Sequence, residues 1–387
     1  LVVADLSTGA PRLPGKDSIP FGLEGSGEKQ GGTIYQWRKG QRLTVGKSLL
    51  KDFCFERSNR PMDADASIMN EVRIGSATHH LWAGNALLRH DLSYPAGVVH
   101  RFDSVSPSGA DQSSELASLD GDAKRTATLR AEQKAAAAVE LRGISDSAHF
   151  LPGYIFSLTG HFYSDGDYLL TQVEHSLRAP DFRTGGEQSW TYECSFLALP
   201  GSMPYRPPLS TPRALVRGTQ TAIVTGIGED PIRTDKYGRV KVRFPWDSDT
   251  SEGEDSSAWI RVAQNWAGSG WGTVNIPRAN QEVVVDFLNG DPDCPIIIGS
   301  VYNQENMPPF DLPAHKTFAG IKTDSHRSEE PTAFSGLTFN DSDGQEEVHV
   351  RAQKDMMVFV KNNQLSNING QNFEHTASVR FTSVGGF

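Results

Sequence analysis

Residues 259–303 restrict the possible fold more than any other part of the chain. The run WIRVAQNWAGSGWGTVNIPRANQEVVVDFLNGDPDCPIIIGSVYN holds three tryptophans and two nearly all-apolar stretches of strand length, with glycine- and asparagine-bearing turn signals between them. Short β-branched stretches cut by turns read as strands that must pair with one another. Just upstream, Val240, Val242 and Phe244 alternate with Arg239, Lys241 and Arg243, the period of a strand buried on one side. Strands are expected at 222–227, 240–244, 258–263, 272–276, 282–288 and 295–301, with turns at 235–238, 268–270, 277–280 and 289–293. Five or six such strands within roughly 90 residues fit a small closed barrel of the oligonucleotide/oligosaccharide-binding (OB) type.

The whole chain has 387 residues, more than one core holds at roughly 150 residues per domain. Its 37 glycines and 22 prolines favour many short strands and turns, so a mainly β protein is expected. Candidate strands in the first hundred residues lie at 33–37 and 49–55, between turn clusters at 11–14 and 25–32. A polar, Ser- and Asp-rich stretch at 104–122 leads into AKRTATLRAEQKAAAAVELRG, the one strong helix signal, expected over 123–142 with Gly143 as its C-terminal cap. Strands are expected next at 154–159, 168–175 and 189–199, separated by Gly160, Gly166 and the Gly185-Gly186 pair. Prolines at 200, 204, 207, 208 and 212 then form a stiff connector and mark a domain boundary. Residues 307–335 read as an extended loop or neck without period. Beyond it Val348, Val350, Val358, Val360, Leu365 and Ile368 alternate with polar residues, and spacings of eight recur at Val350/Val358, Val360/Ile368 and Phe373/Phe381. So short a repeat cannot bury its own face and implies stacking on neighbours or on other chains.

Charge and chemistry narrow the function. The net charge is −10, and residues 217–303 hold 8 Lys and Arg against 12 Asp and Glu. That balance opposes a phosphate-binding track, so nucleic acid is not expected as a partner, even though Trp246, Trp259, Trp266 and Trp271 could otherwise stack bases. Packing in a core or at a subunit contact is the better reading of those rings. Cys54, Cys194 and Cys294 are odd in number and widely spaced, which suits neither a disulfide framework nor a zinc set. KGQRLTVGKS at 39–48 ends like a phosphate loop, but Gln41 stands where its first glycine belongs and Gly40 is one residue too early, so a basic surface turn is expected. PWDSDTSEGEDSS at 245–257 sets Asp247 and Asp249 two apart but fails the calcium pattern at Ser251, Gly253 and Ala258. His79 and His80 are adjacent, with His90 and His100 following, and neighbours on a strand point to opposite faces. Glu229 with Asp230, and Glu282 with Asp286, are carboxylate pairs of the kind an acidic chain supplies by chance. No catalytic, cofactor-binding or metal-binding residue is assigned, and the chain is not expected to be an enzyme.

No apolar run approaches the roughly 20 residues that cross a bilayer, and the opening LVVADLSTGAPRLPG has no basic region followed by an apolar segment. A soluble protein without an export signal is expected. LVVAD itself reads as a strand without an initiator Met, so the chain reads as a piece of a longer protein.

Several long motifs, in order, resemble one family. TDKYGRVKVRFPWD (234–247), RVAQNWAGSGWGTVNIPRANQEVVVDFLNGDPDCPIIIGSVYN (261–303) and GLTFNDSDGQEEVHVRAQKDM (336–356) are similar to signatures of VgrG, the valine-glycine repeat spike of the type VI secretion system. Upstream, PGYIFSLTGH, YLLTQVEH and FLALPGSMPYRPP resemble the hub of the same family, which is related to phage tail hub and spike proteins. The resemblance implies a mainly β chain with an α+β hub part. Its segments are a first hub part truncated at its N-terminus (1–105), a second α+β hub part (106–205), an OB barrel (206–305), a neck (306–345) and the start of a triple-stranded β-prism (346–387). It further implies a homotrimer that caps the tube of Hcp hexamers, carries a PAAR-repeat protein and effectors at its tip, and is driven mechanically through a target membrane. Such a protein is made in the bacterial cytoplasm and leaves through the type VI apparatus. The competing readings are a phage baseplate hub with a cell-wall hydrolase, which needs an inserted lysozyme-like domain, and an OB-fold nucleic-acid binder.

Overall fold

The structure, a computed structural model, describes residues 9–22, 32–82, 89–99, 116, 118–179, 190–226, 228, 230–248, 256–328, 330 and 332–377. The expected strand at 1–5, most of the 25–32 turn cluster, the polar stretch at 104–115, Gly185-Gly186, His100, Glu229, residues 249–255 and Phe381 lie outside these. The chain divides into two units, Leu1–Asn303 and Gln304–Phe387.

In the first unit, β1 (Ser18–Pro20) and β2 (Ile34–Gln41) precede β3 (Lys47–Asp52), β4 (Met62–Ser67), the hairpin β5 (Glu71–Ile74) and β6 (Ala77–His80), and β7 (His90–Ser93). Helix α1 (Leu119–Ala138) follows, then β8 (Val139–Ser145), β9 (Ile155–Thr159), β10 (Gly166–Arg178) and β11 (Thr191–Pro200). A six-stranded sheet in the order β1-β9-β10-β11-β8-β2 draws on both expected hub segments, and one buried core joins Ile34 and Ile74 of the first to Leu141 and Phe196 of the second. That core is aromatic. Phe196 meets Phe150 edge-on at 4.9 Å and Phe156 at 5.7 Å, while Trp37 meets Tyr168 at 4.9 Å. Each fully buried ring contributes roughly 2–3 kcal/mol from area alone.

Helix α1 buries Ala123, Ala127, Ala131 and Ala135, four residues apart, and lies along β3 and β4. Small side chains at i, i+4 let a helix approach a sheet closely. The helix is displaced from its expected span. It starts at Leu119, with Asp120 and Asp122 in its first turn where the helix dipole favours acids, and it stops at Ala138 rather than at Arg142. The segment VELRGIS becomes β8, pairing with β2 on one side and β11 on the other. Gly143 is therefore not a helix cap. It sits mid-strand under Phe196, where an added Cβ would lie 2.2 Å from the ring. Bonds to two strands and burial of Val139 and Leu141 outweigh the helix propensity of Val-Glu-Leu-Arg.

The barrel comprises β12 (Gln220–Val224), β13 (Val242–Arg243), β14 (Arg261–Val262), the hairpin β15 (Ala267–Gly268) and β16 (Trp271–Gly272), β17 (Glu282–Phe287) and β18 (Pro295–Val301). Its sheet runs β13-β12-β17-β18-β14. Val240 and Ile260 exchange backbone bonds of 3.0 and 2.8 Å, joining the segments next to the two edge strands and closing the sheet on itself. Ala222, Val224, Val240, Val242, Ile260, Val283, Val285 and Ile297 fill the interior. Two expectations are corrected here. Residues 273–276 are not a strand, because Thr273 N–H turns back to donate to the Trp266 carbonyl at 2.9 Å and ends the hairpin. The strand around Val240 is not buried on one side only: Arg239 is 2% and Lys241 1% exposed, since aromatic rings cover the face that carries them.

In the second unit, β19 (Phe318–Lys322), β20 (Gly336–Asn340) and β21 (Glu347–Arg351) form an antiparallel sheet. One of these strands, β19, falls inside the 307–335 stretch expected to be a loop or neck without period. The Pro, His and Ser residues of that stretch hid it, because pairing with β20 organises a segment that has little alternation of its own. Among the described residues no helix is long and apolar enough to cross a membrane.

Candidate functional site

Three features stand out for assembly rather than chemistry. The first is a joint between hub and barrel. The Phe55 ring lies under the guanidinium of Arg261 at 4.8 Å and that of Arg239 at 5.3 Å, and meets Tyr237 edge-on at 5.0 Å. Arg239 is held in place by its own turn. Its Nε donates to Asp235 Oδ2 at 2.6 Å, while Asp235 Oδ1 accepts the backbone N–H groups of Tyr237 and Arg239 at 2.9 Å each. Gly238, at φ +73°, supplies the left-handed residue this turn requires. Beside Phe55, burial raises the Glu56 carboxyl above its usual range, against the lowering pull of Arg239 and Lys236. Arg57 anchors the same loop to the start of α1, donating to the Leu116 carbonyl and to both oxygens of Asp120.

The second feature is the set of barrel tryptophans. Trp259 is buried, with Arg233 at 5.2 Å and Lys241 at 5.3 Å from its ring centre, so it is a core residue. Trp246 is exposed, stacked on Phe244 at 5.1 Å, and its Nε1 donates to Gln220 Oε1 at 2.9 Å. Trp266 and Trp271 are both exposed on the hairpin and meet edge-on at 5.0 Å. The sequence placed these rings in one region but did not distinguish the buried one from the others.

The third feature is the tail. In the second unit Ile321, Leu337, Phe339, Val348 and Val350 are exposed on a three-stranded sheet. Residues 352–377 have no hydrogen-bonded strand, and Met357, Phe359 and Leu365 are almost fully in solvent. A sheet that shows apolar side chains over this length is incomplete as a single chain.

Residues considered for chemistry are scattered. Lys47 and Ser48 open β3 rather than a loop, with Lys47 paired to Asp65 at 2.7 Å and Ser48 buried. His79 contacts Lys39 Nζ at 2.8 Å, and burial followed by the lysine charge lowers its pKa, while His80 faces Glu71 at 3.8 Å. His90 starts β7. Glu282 accepts from Asn303 at 3.0 Å, and Asp286 accepts its neighbour's backbone N–H. Asp230 Oδ1 caps the N–H of Ile232 at 3.0 Å. Among the described residues no group of three or more His, Cys, Asp or Glu could hold a metal ion. The Phe55 joint escaped sequence reasoning altogether, because its partners come from distant parts of the chain and no local pattern links them.

Comparison with known proteins orders these features. Residues 1–180 match the phage tail baseplate hub family, 220–302 the type VI secretion system/phage-baseplate injector OB domain, and 319–386 the bacteriophage T4 gp5 C-terminal trimerisation domain. The type VI secretion system spike proteins VgrG1b and VgrG1a of Pseudomonas aeruginosa are each 33% identical over 94% of this chain, which covers 45% and 52% of their lengths. The actin cross-linking toxin VgrG1 of Vibrio cholerae is 38% identical over 58% of the chain and 21% of its own length. A solved E. coli component of the type VI secretion system is 27% identical, covering 46% of this chain and 43% of its own, with a TM-score of 0.34. The chain thus spans about half the length of the VgrG1a and VgrG1b relatives it matches. With hub, injector barrel and trimerisation matches following one another along a chain 33% identical to VgrG spike proteins, it belongs to the VgrG family of type VI secretion spike proteins.

Proposed function

We propose that this chain forms the hub, barrel and spike base of a homotrimer that acts mechanically, without chemistry of its own. The observation that carries the reading is the tail: apolar side chains exposed on β19 to β21 and a further 26 residues, 352–377, with no strand pairing. Three copies wound together give every strand edge a partner and bury those side chains, which yields a stiff rod from segments that are loose alone. The hub caps the Hcp tube. The assembly carries a PAAR-repeat protein and effectors, and contraction of the apparatus drives it through a target membrane. The chain is made in the cytoplasm and leaves by this route.

Sedimentation equilibrium at micromolar concentration tests the reading. A particle of three times the chain mass supports it, and a stable monomer overturns it.

A further inference from the structure

The β15–β16 hairpin is a built surface that the barrel fold does not need. Residues 265–275 are all exposed, and Trp266, Trp271 and Val274 are 63%, 57% and 78% accessible. The hairpin is nonetheless rigid. Trp271 lies flat on Gly268, where a Cβ would come within 2.3 Å of the indole, and the two indoles brace each other. Gln264 and Asn275 lock the base of the hairpin, with Asn275 N–H donating to Gln264 Oε1 at 2.9 Å and Gln264 Nε2 donating to the Asn275 carbonyl at 3.2 Å. Two fixed, exposed tryptophans are preorganised contact area, the usual content of an interface hot spot.

Charge identifies the partner. Between Arg261 and Arg278 lie 16 residues, 262–277, without Asp, Glu, Lys, Arg or His. In a chain of which 22% is charged, such a run would ordinarily hold three or four charges. Copies of a chain with net charge −10 repel one another, so a surface that brings no charge to the contact is one they bury together at low electrostatic cost. The tether is short as well. The barrel match ends at 302 and the trimerisation match starts at 319, leaving 16 residues, 303–318, that reach at most about 55 Å. Copies joined downstream therefore hold their barrels at millimolar effective concentration, where a modest patch suffices.

We propose that Trp266 and Trp271 of one copy pack on the barrel of a neighbouring copy, forming a second belt of contact besides the trimerisation region. This inference rests on the trimer reading above. Its test is radical oxidation footprinting of the full 387-residue chain, read by mass spectrometry, with the tail variant Val350→Asp as the monomer reference. Trp266 and Trp271 should be oxidised at least about fivefold more slowly in the trimer than in the reference. A trimer in which both tryptophans react as fast as in the monomer overturns this inference and leaves the trimer intact. A chain that is monomeric throughout overturns both. Slowing seen only after phosphatidylcholine vesicles are added also overturns it and assigns the hairpin to membrane instead. As a second measurement, Val274→Asp should leave the circular dichroism unchanged and raise the concentration at which the trimer dissociates by about tenfold. Dissociation unchanged from wild type counts against the belt.

Discussion

The guanidinium of Arg261, on strand β14 of the barrel, lies 4.8 Å from the ring centre of Phe55, a residue of the hub. With Arg239 on the same ring, the hub supplies the surface that shields two barrel cations. Phe55→Ala removes that surface and should cost about 2 kcal/mol, from lost cation–π contacts and a partial cavity beside a buried charge. Differential scanning calorimetry should then resolve separate hub and barrel transitions. A single transition at the wild-type temperature would show that the joint contributes nothing.

Gly143→Ala probes the strand that replaced the end of the helix. The new methyl would meet Phe196, which is wedged among Phe150, Phe156 and Trp37 and has no room to swing away. Overpacking of this kind costs about 1–3 kcal/mol. Urea denaturation should show the midpoint falling, whereas Gly40→Ala on the neighbouring strand, where the nearest atom is 3.6 Å away, should shift it much less. Equal shifts for the two variants would argue against a special fit under Phe196.

What could be read in advance follows physical lines. Strands β17 and β18 were plain because Val283 to Val285 and Ile296 to Ile298 are β-branched runs closed off by turn residues, a signal that is local. The existence of α1 was equally plain, but its end was not. Glu140, Leu141 and Arg142 favour helix when considered alone, and only β2 and β11, from opposite sides in sequence, make them a strand. Burial of Arg239 and Lys241 was invisible for the same reason: alternation says which side chains share a face, not what covers it. The dependence of the tail on neighbours was legible, since a strand repeat too short to bury itself has to find other chains.

Acid should loosen the hub through His161. It is 7% exposed, its Nδ1 accepts the backbone N–H groups of Ser164 at 3.2 Å and Tyr163 at 3.4 Å, and burial lowers its pKa below 6.5 against the opposing charge of Asp165. Below pH 6.5 the unfolded chain therefore takes up a proton that the folded chain resists, so stability falls as pH drops from 6.5 toward the folded pKa. His161→Asn, which keeps an acceptor but does not titrate, should flatten the urea midpoint over that window. The same slope in both proteins would remove His161 as the cause.

Val350→Asp tests the tail. Val350 is 54% exposed in the single chain, opposite Leu337, so the change costs an isolated chain at most about 0.5 kcal/mol. Around a threefold axis it sets three like charges in apolar surroundings. Sedimentation should find monomer with the hub and barrel still folded. A trimer as tight as wild type would mean that β21 is not at the contact.

The joint at Phe55 also bears on how such chains can be recombined. The proline-rich connector around residues 200–212 looks like a natural breakpoint for exchanging hubs between relatives, yet Arg239 is buried partly against the far side of that break. A hub exchanged there without an aromatic at the position of Phe55 leaves the barrel with a poorly covered cation. Successful chimaeras should therefore inherit hub and barrel together, with crossover points falling after Asn303.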